Sequence, residues 1–271
     1  MAMQFGFFKE PTVKILIVTG ASSTGKTTLS KALAEDDGFE FLDEAWLPMF
    51  LPVLVRKGEV SERLAQDLLS SYIDELANDV ILCRRGNFRP GDRSSIWDFK
   101  SVQTILHRLS VLESRADAAH WATKHDTTLI LALPEVPPFI RFYLAASGQY
   151  RVLLLQREDE ELATEIAQKH WFSDDQLASP INNQPYTEYC FQTTDYYMPW
   201  WLEPDQFDDF IRADDHVRAM TYATFFREEA KQQIGALSEA ERMRFITVDS
   251  RRVFDSREAV IARVKRFMKS S

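Results

Sequence analysis

Cysteine is scarce in this sequence of 271 residues, which contains only Cys83 and Cys190. Their separation matches no metal-ligand or redox spacing, and a chain of this length needs no disulfide framework. The five histidines also lack the spacing of a metal site. We therefore expect two ordinary thiols in a reducing, cytoplasmic compartment, and no metal held by protein ligands alone.

Long apolar runs are also missing. The longest runs, such as Val13–Val18 and Leu129–Leu133, have the length of a β-strand, whereas a membrane-spanning helix needs about 20 apolar residues. The first residues lack a basic flank and a small-residue cleavage site, so we expect them to belong to the mature chain. The sequence predicts neither a membrane span nor a cleaved leader.

Basic residues are outnumbered: 32 lysines and arginines stand against 41 acidic residues, a net charge of −9. An acidic chain disfavours non-specific binding to nucleic acids and anionic membranes, so we expect neither as a partner. Hydrophobic residues make up 45% and charged residues 27%, which is typical of a globular protein. The composition leaves the oligomeric state open.

Short apolar runs alternate with segments of helical spacing along most of the chain. Strands that are separated by helices favour a parallel sheet with helices on both faces. We therefore predict an α/β fold with one five-stranded parallel sheet, in a single domain that spans residues 1–271. The predicted strands are Val13–Val18, Phe39–Leu42, Thr127–Leu133, Tyr150–Gln156 and Arg244–Val248.

Two segments interrupt this alternation. Residues 45–125, approximately, contain no convincing strand and predict a helical insertion, with helices over Glu62–Cys83 and Val102–Ala122. Residues 171–204, approximately, are rich in Asn, Pro, Tyr and Trp without a sustained period, which predicts a long loop or lid. Its aromatic side chains either stack on a ring of a ligand or pin the segment to the core, and pinning is the more common outcome.

Residues 20–27 are GASSTGKT, which matches the phosphate-binding pattern G-x-x-x-x-G-K-[ST] between a predicted strand and a predicted helix. In such a loop, backbone N–H groups and the helix N-terminus form a cradle for an anion. Lys26 is expected to reach the β- and γ-phosphates of ATP, and the Thr27 hydroxyl to bind Mg²⁺. The residues expected to contact the nucleotide are Gly20, Ser22, Ser23, Thr24, Gly25, Lys26, Thr27 and Thr28.

With this loop and this order of elements, the sequence resembles the P-loop small-molecule and nucleotide kinases. That superfamily includes chloramphenicol phosphotransferase-like, shikimate kinase-like and nicotinamide riboside kinase-like proteins, and the resemblance is most specific over Val13–Leu33. It implies the sheet order 2-3-1-4-5. It also implies that an acid at the end of the second strand contacts the acceptor hydroxyl, with Asp43 as the catalytic residue and Glu44 as a substrate-binding residue. An acidic pair that opens a helix is the alternative.

One feature departs from this superfamily. No apolar strand ends in the Asp of a Walker B motif, and Leu129–Leu133 is followed instead by Pro134 and Glu135. Glu135 either joins the Mg²⁺ shell or is an acid at a helix N-terminus, and the second interpretation is simpler. The second protein ligand of the metal is left open.

Arginines mark two further candidate positions. Arg157 opens the helix that leads to the predicted lid, and the resemblance implies a catalytic contact with phosphate, against a solvated helix-end arginine as the alternative. The loop Arg84–Phe99 crowds four arginines into an acidic chain. We expect Arg89 and Arg93 to bind an anionic group of the acceptor, with Asp98 facing the same pocket. The alternative is that these arginines pair with nearby carboxylates.

Together these features predict an ATP- and Mg²⁺-dependent kinase that phosphorylates a hydroxyl of a small molecule. A nucleotide or polynucleotide 5′-kinase is an alternative, and so is a regulatory P-loop ATPase that has no acceptor. The sequence assigns neither the acceptor nor a preference for ATP over GTP.

Overall fold

A five-stranded parallel sheet forms the centre of the protein, in a computed structural model that describes residues 13–43, 45–84, 87–179, 191–193 and 195–269. The strands of the described residues are β1 (Lys14–Gly20), β2 (Phe39–Asp43), β3 (Thr128–Pro134), β4 (Tyr150–Gln156), β5 (Phe191–Gln192), β6 (Tyr197–Met198) and β7 (Phe245–Asp249). The sheet order is β2-β3-β1-β4-β7, and β5 and β6 form a separate antiparallel ribbon. Counted within the sheet alone, this is the order 2-3-1-4-5, so the predicted α/β class is confirmed.

Both faces of the sheet are buried under helices. Along β1, Ile15 and Ile17 pack into one apolar cluster, whereas Leu16 and Val18 pack into the other. This alternation follows from the two-residue period of a strand, and it explains why β1 is apolar without interruption from Ile15 to Val18. The helices are α1 (Lys26–Ala34), α2 (Trp46–Arg56), α3 (Glu62–Ile81), α4 (Val102–Val111), α5 (Arg115–His125), α6 (Ile140–Ala146), α7 (Asp159–Gln168), α8 (Asp174–Ala178), α9 (Phe207–Arg212), α10 (Asp215–Gly235), α11 (Glu239–Arg242), α12 (Arg251–Asp255) and α13 (Arg257–Lys269). No helix in the described ranges is both long and apolar enough to cross a bilayer.

The insertion between β2 and β3 contains α2 to α5 and, in its described residues, no strand, but one predicted helix is broken. The predicted helix Val102–Ala122 is two helices, α4 and α5. Ser114 begins α5 with a capping box, in which its side chain accepts from the Asp117 amide while Asp117 accepts from the Ser114 amide. This reciprocal capping satisfies the first amides of a new helix, so the chain turns instead of continuing α4.

Helix α2 lies within the predicted helical insertion but is not one of the two helices predicted in it, and it contains Pro48 and Pro52. Pro52 lacks the N–H that would bond to the carbonyl of Pro48, four residues earlier. That carbonyl instead accepts a hydrogen bond from the Tyr143 hydroxyl at 2.6 Å. A side chain of α6 therefore satisfies the backbone group that the proline leaves open.

Two tryptophans of the predicted lid segment are part of the core. Trp200 and Trp201 are buried and pack against Phe225 and Phe226 of α10. For these two side chains, the structure supports the interpretation that aromatic residues pin the segment down. Residues 180–190 and 194 lie outside the described residues, and closure of a lid over the site stays a prediction.

A buried ion pair connects the insertion to the sheet. Arg108 of α4 donates to Glu40 of β2 at 2.5 Å, and each side chain is only 1% exposed. Nearby, the buried Lys100 donates to the Asp36 carbonyl at 2.6 Å, and burial lowers the pKa of Lys100. Charges in such a position stay ionised only because they are paired, so this cluster holds α4 and the loop before it against β2.

Breaking this pair is expected to destabilise the protein strongly. Arg108→Met leaves the Glu40 carboxylate buried without its cation, which should lower the free energy of unfolding by about 3–5 kcal/mol. Chemical denaturation measures this loss. The double variant Arg108→Met/Glu40→Leu should recover most of the stability, and a single variant that loses less than about 1 kcal/mol would contradict the assignment.

Candidate functional site

The GASSTGKT loop joins β1 to α1 at the carboxyl edge of the sheet. Gly20 has a φ of +148°, and a Cβ atom there would lie 2.4 Å from the carbonyl oxygen of Leu155. Gly25 has a φ of +85° and immediately precedes α1. Only glycine fits the first position without a backbone shift, and glycine is favoured at the second. The loop therefore curls around the N-terminus of α1, where amide groups and the helix dipole favour an anion.

Lys26 points back into this loop. Its side chain is nearly buried, and Nζ donates to the carbonyl oxygens of Ala21 at 2.8 Å and Gly20 at 3.3 Å. The Thr24 hydroxyl donates to the same Ala21 carbonyl at 2.9 Å. Phosphate oxygens are stronger acceptors for an ammonium group than carbonyl oxygens. Lys26 thus stands at the cradle with neutral partners that a phosphate can replace.

Asp43 meets the loop at the end of β2. Its Oδ1 atom accepts a hydrogen bond from the Thr27 hydroxyl at 3.3 Å, and its Oδ2 atom lies 2.9 Å from Nε of Arg93. Nη2 of Arg93 also lies 3.4 Å from the Thr27 hydroxyl oxygen. The Asp43 side chain is 6% exposed, whereas Arg93 is 62% exposed. The fold thus brings a buried carboxylate and an accessible guanidinium together beside the cradle.

Acceptor binding by the other predicted residues, Arg89, Asp98 and Glu44, stays a prediction. Asp98 is 3.7 Å from Lys31, which is one helical turn beyond Thr27 on α1. The Arg89 side chain is exposed. Glu44 lies outside the described residues. Within the loop Arg84–Phe99, Arg93 pairs with a carboxylate, which was the alternative to binding an anionic acceptor group. That carboxylate belongs to Asp43, which lies beside the cradle.

Two cations of the segment after β4 hold the opposite side of the loop. Nη1 of Arg157 donates to the Ser23 carbonyl at 3.1 Å, and Nζ of Lys169 donates to the Ser23 hydroxyl at 2.7 Å. Both cations also pair with Glu165, where their hydrogen bonds outweigh the effect of burial and lower the pKa of that carboxyl. Ser23 has a φ of +64°, a left-handed conformation that these contacts support. A direct contact of Arg157 with phosphate stays a prediction.

Two protein oxygens fit a magnesium ion at this site. The Thr27 hydroxyl and the Asp43 carboxylate are hard oxygen donors, as Mg²⁺ prefers, and their oxygens are 3.3 Å apart. They would hold the ion if it binds. The guanidinium of Arg93 lies against one of these two oxygens, the Thr27 hydroxyl, and against the other carboxylate oxygen of Asp43, Oδ2.

Glu135, which the sequence leaves between a Mg²⁺ ligand and a helix N-terminal acid, is a buried carboxyl group. It follows β3, is 4% exposed, and accepts a hydrogen bond from Nε1 of Trp200 at 3.0 Å. Burial raises the pKa of Glu135 to about 8. Val136 is the N-cap of the helical turn that follows, and a metal-binding role of Glu135 stays a prediction.

Two aromatic residues at the loop were not identified from the sequence. The Tyr222 hydroxyl, on α10, accepts from the Ser22 amide at 2.8 Å. The Phe254 ring, on α12, lies 3.4 Å from the point where Gly25 would carry a Cβ atom, and 65% of this residue is exposed. A signal for Phe254 exists in the sequence, since an aromatic residue follows the last strand closely. Nothing local marks Tyr222, which is 200 residues from its partner.

Comparisons with known proteins complete the description of this site. No protein-family model matches the chain, and no curated protein matches it. Among solved structures, the sulfotransferase domain of the Synechococcus PCC 7002 olefin synthase is 13% identical, with 99% of this chain and 77% of that chain covered and a TM-score of 0.47. Sulfotransferase STF1 from Mycobacterium tuberculosis H37Rv is 14% identical, with 97% and 68% covered and a TM-score of 0.46. These two matches do not show the kinase families that the sequence resembles, and the chemistry of this chain is argued below from its own residues.

Proposed function

We propose that this protein is a transferase that binds the phosphates of a nucleotide at the GASSTGKT loop and moves the donor's terminal group to a hydroxyl of a small molecule. The observation that carries the proposal is the position of Asp43, whose carboxylate lies 3.3 Å from Thr27 at the edge of the cradle. A carboxylate so close to the bound phosphates is suited to orient a hydroxyl and receive its proton. The favoured donor is ATP, and the group transferred is then its γ-phosphoryl group.

Lys26 supplies the main positive charge in this proposal. Its Nζ leaves the carbonyls of Gly20 and Ala21 and binds phosphate oxygens, on which negative charge builds up as the terminal group departs. The contacts of Arg157 and Lys169 with Ser23 keep the loop in shape. Because these groups are already in place, little reorganisation is needed during the reaction.

The two oxygens of Asp43 have separate tasks. Oδ1 faces Thr27, with which it would hold Mg²⁺, and the ion would neutralise phosphate charge. Oδ2 faces Arg93 and receives the proton of the acceptor hydroxyl once the guanidinium has turned away. Arg93 then lies between the site and solvent, where it can bind an anionic group of the donor or acceptor.

The position of Arg93 also favours a second candidate, sulfuryl transfer from a nucleotide phosphosulfate. Its guanidinium already lies against the Thr27 hydroxyl and Oδ2 of Asp43, and so places a positive charge beside the position where Mg²⁺ would bind. A terminal sulfuryl group carries less negative charge than a γ-phosphate, so the protein's own cations can balance it without a divalent ion. In this case Arg93 stays in place and Lys26 binds the bridging phosphate.

Donor and metal requirements distinguish these functions. The purified protein is incubated with ATP, GTP or 3′-phosphoadenosine 5′-phosphosulfate, with Mg²⁺ or EDTA, and with panels of alcohols, sugars, nucleosides and oligonucleotides. Phosphoryl transfer predicts ATP consumption that an acceptor stimulates and EDTA stops. Sulfuryl transfer predicts a sulfated product in EDTA. Nucleoside triphosphate hydrolysis that no acceptor stimulates would contradict the proposal and support a regulatory ATPase.

Lys26→Ala should lower turnover by about 10²–10³-fold, the range seen when one charge-stabilising group is lost. Lys31→Ala is the matched control, because Lys31 lies on the same helix and pairs with Asp98 away from the loop. Steady-state kinetics and thermal unfolding are measured for both variants. Normal turnover in a folded Lys26→Ala protein would refute the role of the loop.

Asp43→Asn should lower kcat by about 10²–10⁴-fold, as expected for loss of a general base, with donor affinity almost unchanged. Arg93→Ala and Arg89→Ala are measured beside it. If the acceptor KM rises in Arg93→Ala but not in Arg89→Ala, the loop Arg84–Phe99 contributes to acceptor binding through Arg93, which contacts Asp43. Equal losses of donor binding and rate in Asp43→Asn would refute its role as a general base and leave Asp43 only a metal-binding or structural role.

Phe254→Ala should weaken nucleotide binding about 5- to 150-fold, because an exposed ring against Gly25 can stack on the base and stacking contributes roughly 1–3 kcal/mol. Phe254→Trp should retain the affinity. Inorganic tripolyphosphate, which has no base, should bind the wild type and Phe254→Ala equally. Calorimetry measures the affinity of the wild type, Phe254→Ala and Phe254→Trp for both ligands. An equal loss of affinity for nucleotide and tripolyphosphate in Phe254→Ala would show that Phe254 supports the loop and does not stack on the base.

A further inference from the structure

A stripe of four charged side chains runs along helix α7 beside the phosphate loop. Arg157 precedes the helix, and Glu161, Glu165 and Lys169 follow at intervals of four residues. Residues four apart lie on the same side of a helix, and Arg157 contacts both glutamates, so we call this set the α7 stripe. Another side of α7 is fixed in the core through the buried residues Leu162, Ala163 and Ile166. A firmly packed helix therefore carries the stripe.

The α7 stripe holds Ser23 of the phosphate loop at two points. Nη1 of Arg157 donates to the Ser23 carbonyl at 3.1 Å, and Nζ of Lys169 donates to the Ser23 hydroxyl at 2.7 Å. The same two nitrogen atoms donate to Glu165, Nη1 to its Oε2 atom and Nζ to its Oε1 atom at 2.6 Å. Each cation thus bridges Glu165 and Ser23, so Glu165 determines where both cations meet the loop.

Ser23 has a backbone conformation that needs such support. Its φ of +64° lies in the left-handed region, which costs free energy for a residue with a Cβ atom. Left-handed residues in a loop help to turn successive N–H groups towards one point, where they can bind an anion. Gly25, with a φ of +85°, adopts such a conformation readily because it is glycine. At Ser23, contacts from outside the loop offset the cost.

The α7 stripe has no net charge. Its two cations share Glu165, and Nε of Arg157 also lies 3.5 Å from Oε2 of Glu161. Arg251, which lies 4.0 Å from Glu161, has a carboxylate partner outside the stripe at 3.3 Å. Two carboxylates therefore balance two cations, and the stripe adds little to the positive potential at the cradle. Its contribution to anion binding lies in the shape of the loop.

We propose that Glu165 is a positioning residue of the phosphate loop: through Arg157 and Lys169 it holds Ser23 in the left-handed conformation that shapes the cradle before a donor arrives. This inference rests on the proposed binding of a phosphate-containing donor at the loop. Without Glu165 the loop relaxes, and the donor has to restore the conformation when it binds. The sign of the effect separates positioning from charge, because loss of a carboxylate near the cradle would by charge alone strengthen anion binding.

Calorimetry of Glu165→Gln measures this sign. The ligands are ADP and adenosine 3′,5′-bisphosphate, the products that phosphoryl and sulfuryl transfer would leave, and the one that binds the wild type is used for every variant. Glu165→Gln should bind it about 5- to 30-fold more weakly, the factor that corresponds to the cost of one left-handed residue. Glu161→Gln is the matched control, because it removes the same charge from α7 but no contact of Lys169, and its affinity should stay within about twofold of the wild type.

Substitutions of Ser23 separate positioning from a general loss of stability. Ser23→Gly removes the Cβ atom that makes the left-handed conformation costly, so the loop no longer depends on the α7 stripe. Ser23→Ala also lacks the hydroxyl but keeps the Cβ atom, and is therefore the matched background. Glu165→Gln should still weaken binding in Ser23→Ala, where Arg157 can hold the carbonyl. In Ser23→Gly it should change the affinity by less than about twofold.

The possible results distinguish this inference from the proposed function. If the wild type binds nucleotide but Glu165→Gln binds it equally well or more tightly, the positioning role is wrong and the proposed function stands. Equal losses in the Ser23→Ala and Ser23→Gly backgrounds, or in Glu161→Gln, would also overturn it. If neither nucleotide binds the wild type, the proposed function and this inference both fail.

Thermal unfolding shows whether each variant is folded. If Glu165→Gln does not fold, Lys169→Met takes its place, because it removes the contact with the Ser23 hydroxyl and leaves Glu165 intact. Lys169→Met should weaken nucleotide binding more in the wild-type background than in Ser23→Gly. An equal loss in the two backgrounds would refute the proposal.

Discussion

The candidate site depends on one close approach, the passage of Gly20 beside the carbonyl oxygen of Leu155. No side chain fits between them, since even a Cβ atom would lie 2.4 Å from that oxygen. The contact joins the end of β1 to β4 and sets the point at which the chain leaves the sheet. Every later feature of the cradle, including the left-handed Gly25 and the start of α1, follows from that exit.

Cationic side chains gather around the phosphate loop, although the chain as a whole has a net negative charge. Lys26, Arg93, Arg157 and Lys169 come from three separate parts of the sequence and converge on the loop. The last three each have a carboxylate partner, Asp43 or Glu165, and Lys26 bonds to loop carbonyls. A nucleotide would therefore exchange existing partners instead of meeting bare charges, which limits the cost of assembling so many cations before a ligand arrives.

The periphery of the site is held by buried polar contacts. The Arg108–Glu40 pair and the buried Lys100 anchor the region of the insertion that carries Arg93. On the other side, Trp200 and Tyr222 connect the core to Glu135 and Ser22. Because buried polar groups are costly to leave unpaired, such contacts fix the positions of their elements more sharply than apolar packing alone.

The sequence by itself determined the features that depend on near neighbours along the chain. The five apolar runs, the helices between them and the phosphate-loop pattern are local signals, and the sheet agrees with them, whereas its order agrees with the one that the resemblance implies. Local signals failed where a side chain that is distant in the sequence stabilises a helix. Pro52 cannot donate to the Pro48 carbonyl, which accepts a hydrogen bond from the Tyr143 hydroxyl instead. They also missed the break between α4 and α5, although its capping box is local, because the apolar spacing continued across it.

Only the tertiary structure decided which side chains meet at the site. Thr27 contacts Arg93 across 66 residues, and Ser22 contacts Tyr222 across 200, separations at which no periodicity carries information. It also decided the burial of Glu135, which the sequence left between a metal ligand and a helix-terminal acid. Burial raises the pKa of that carboxyl, and burial is a property of the whole fold.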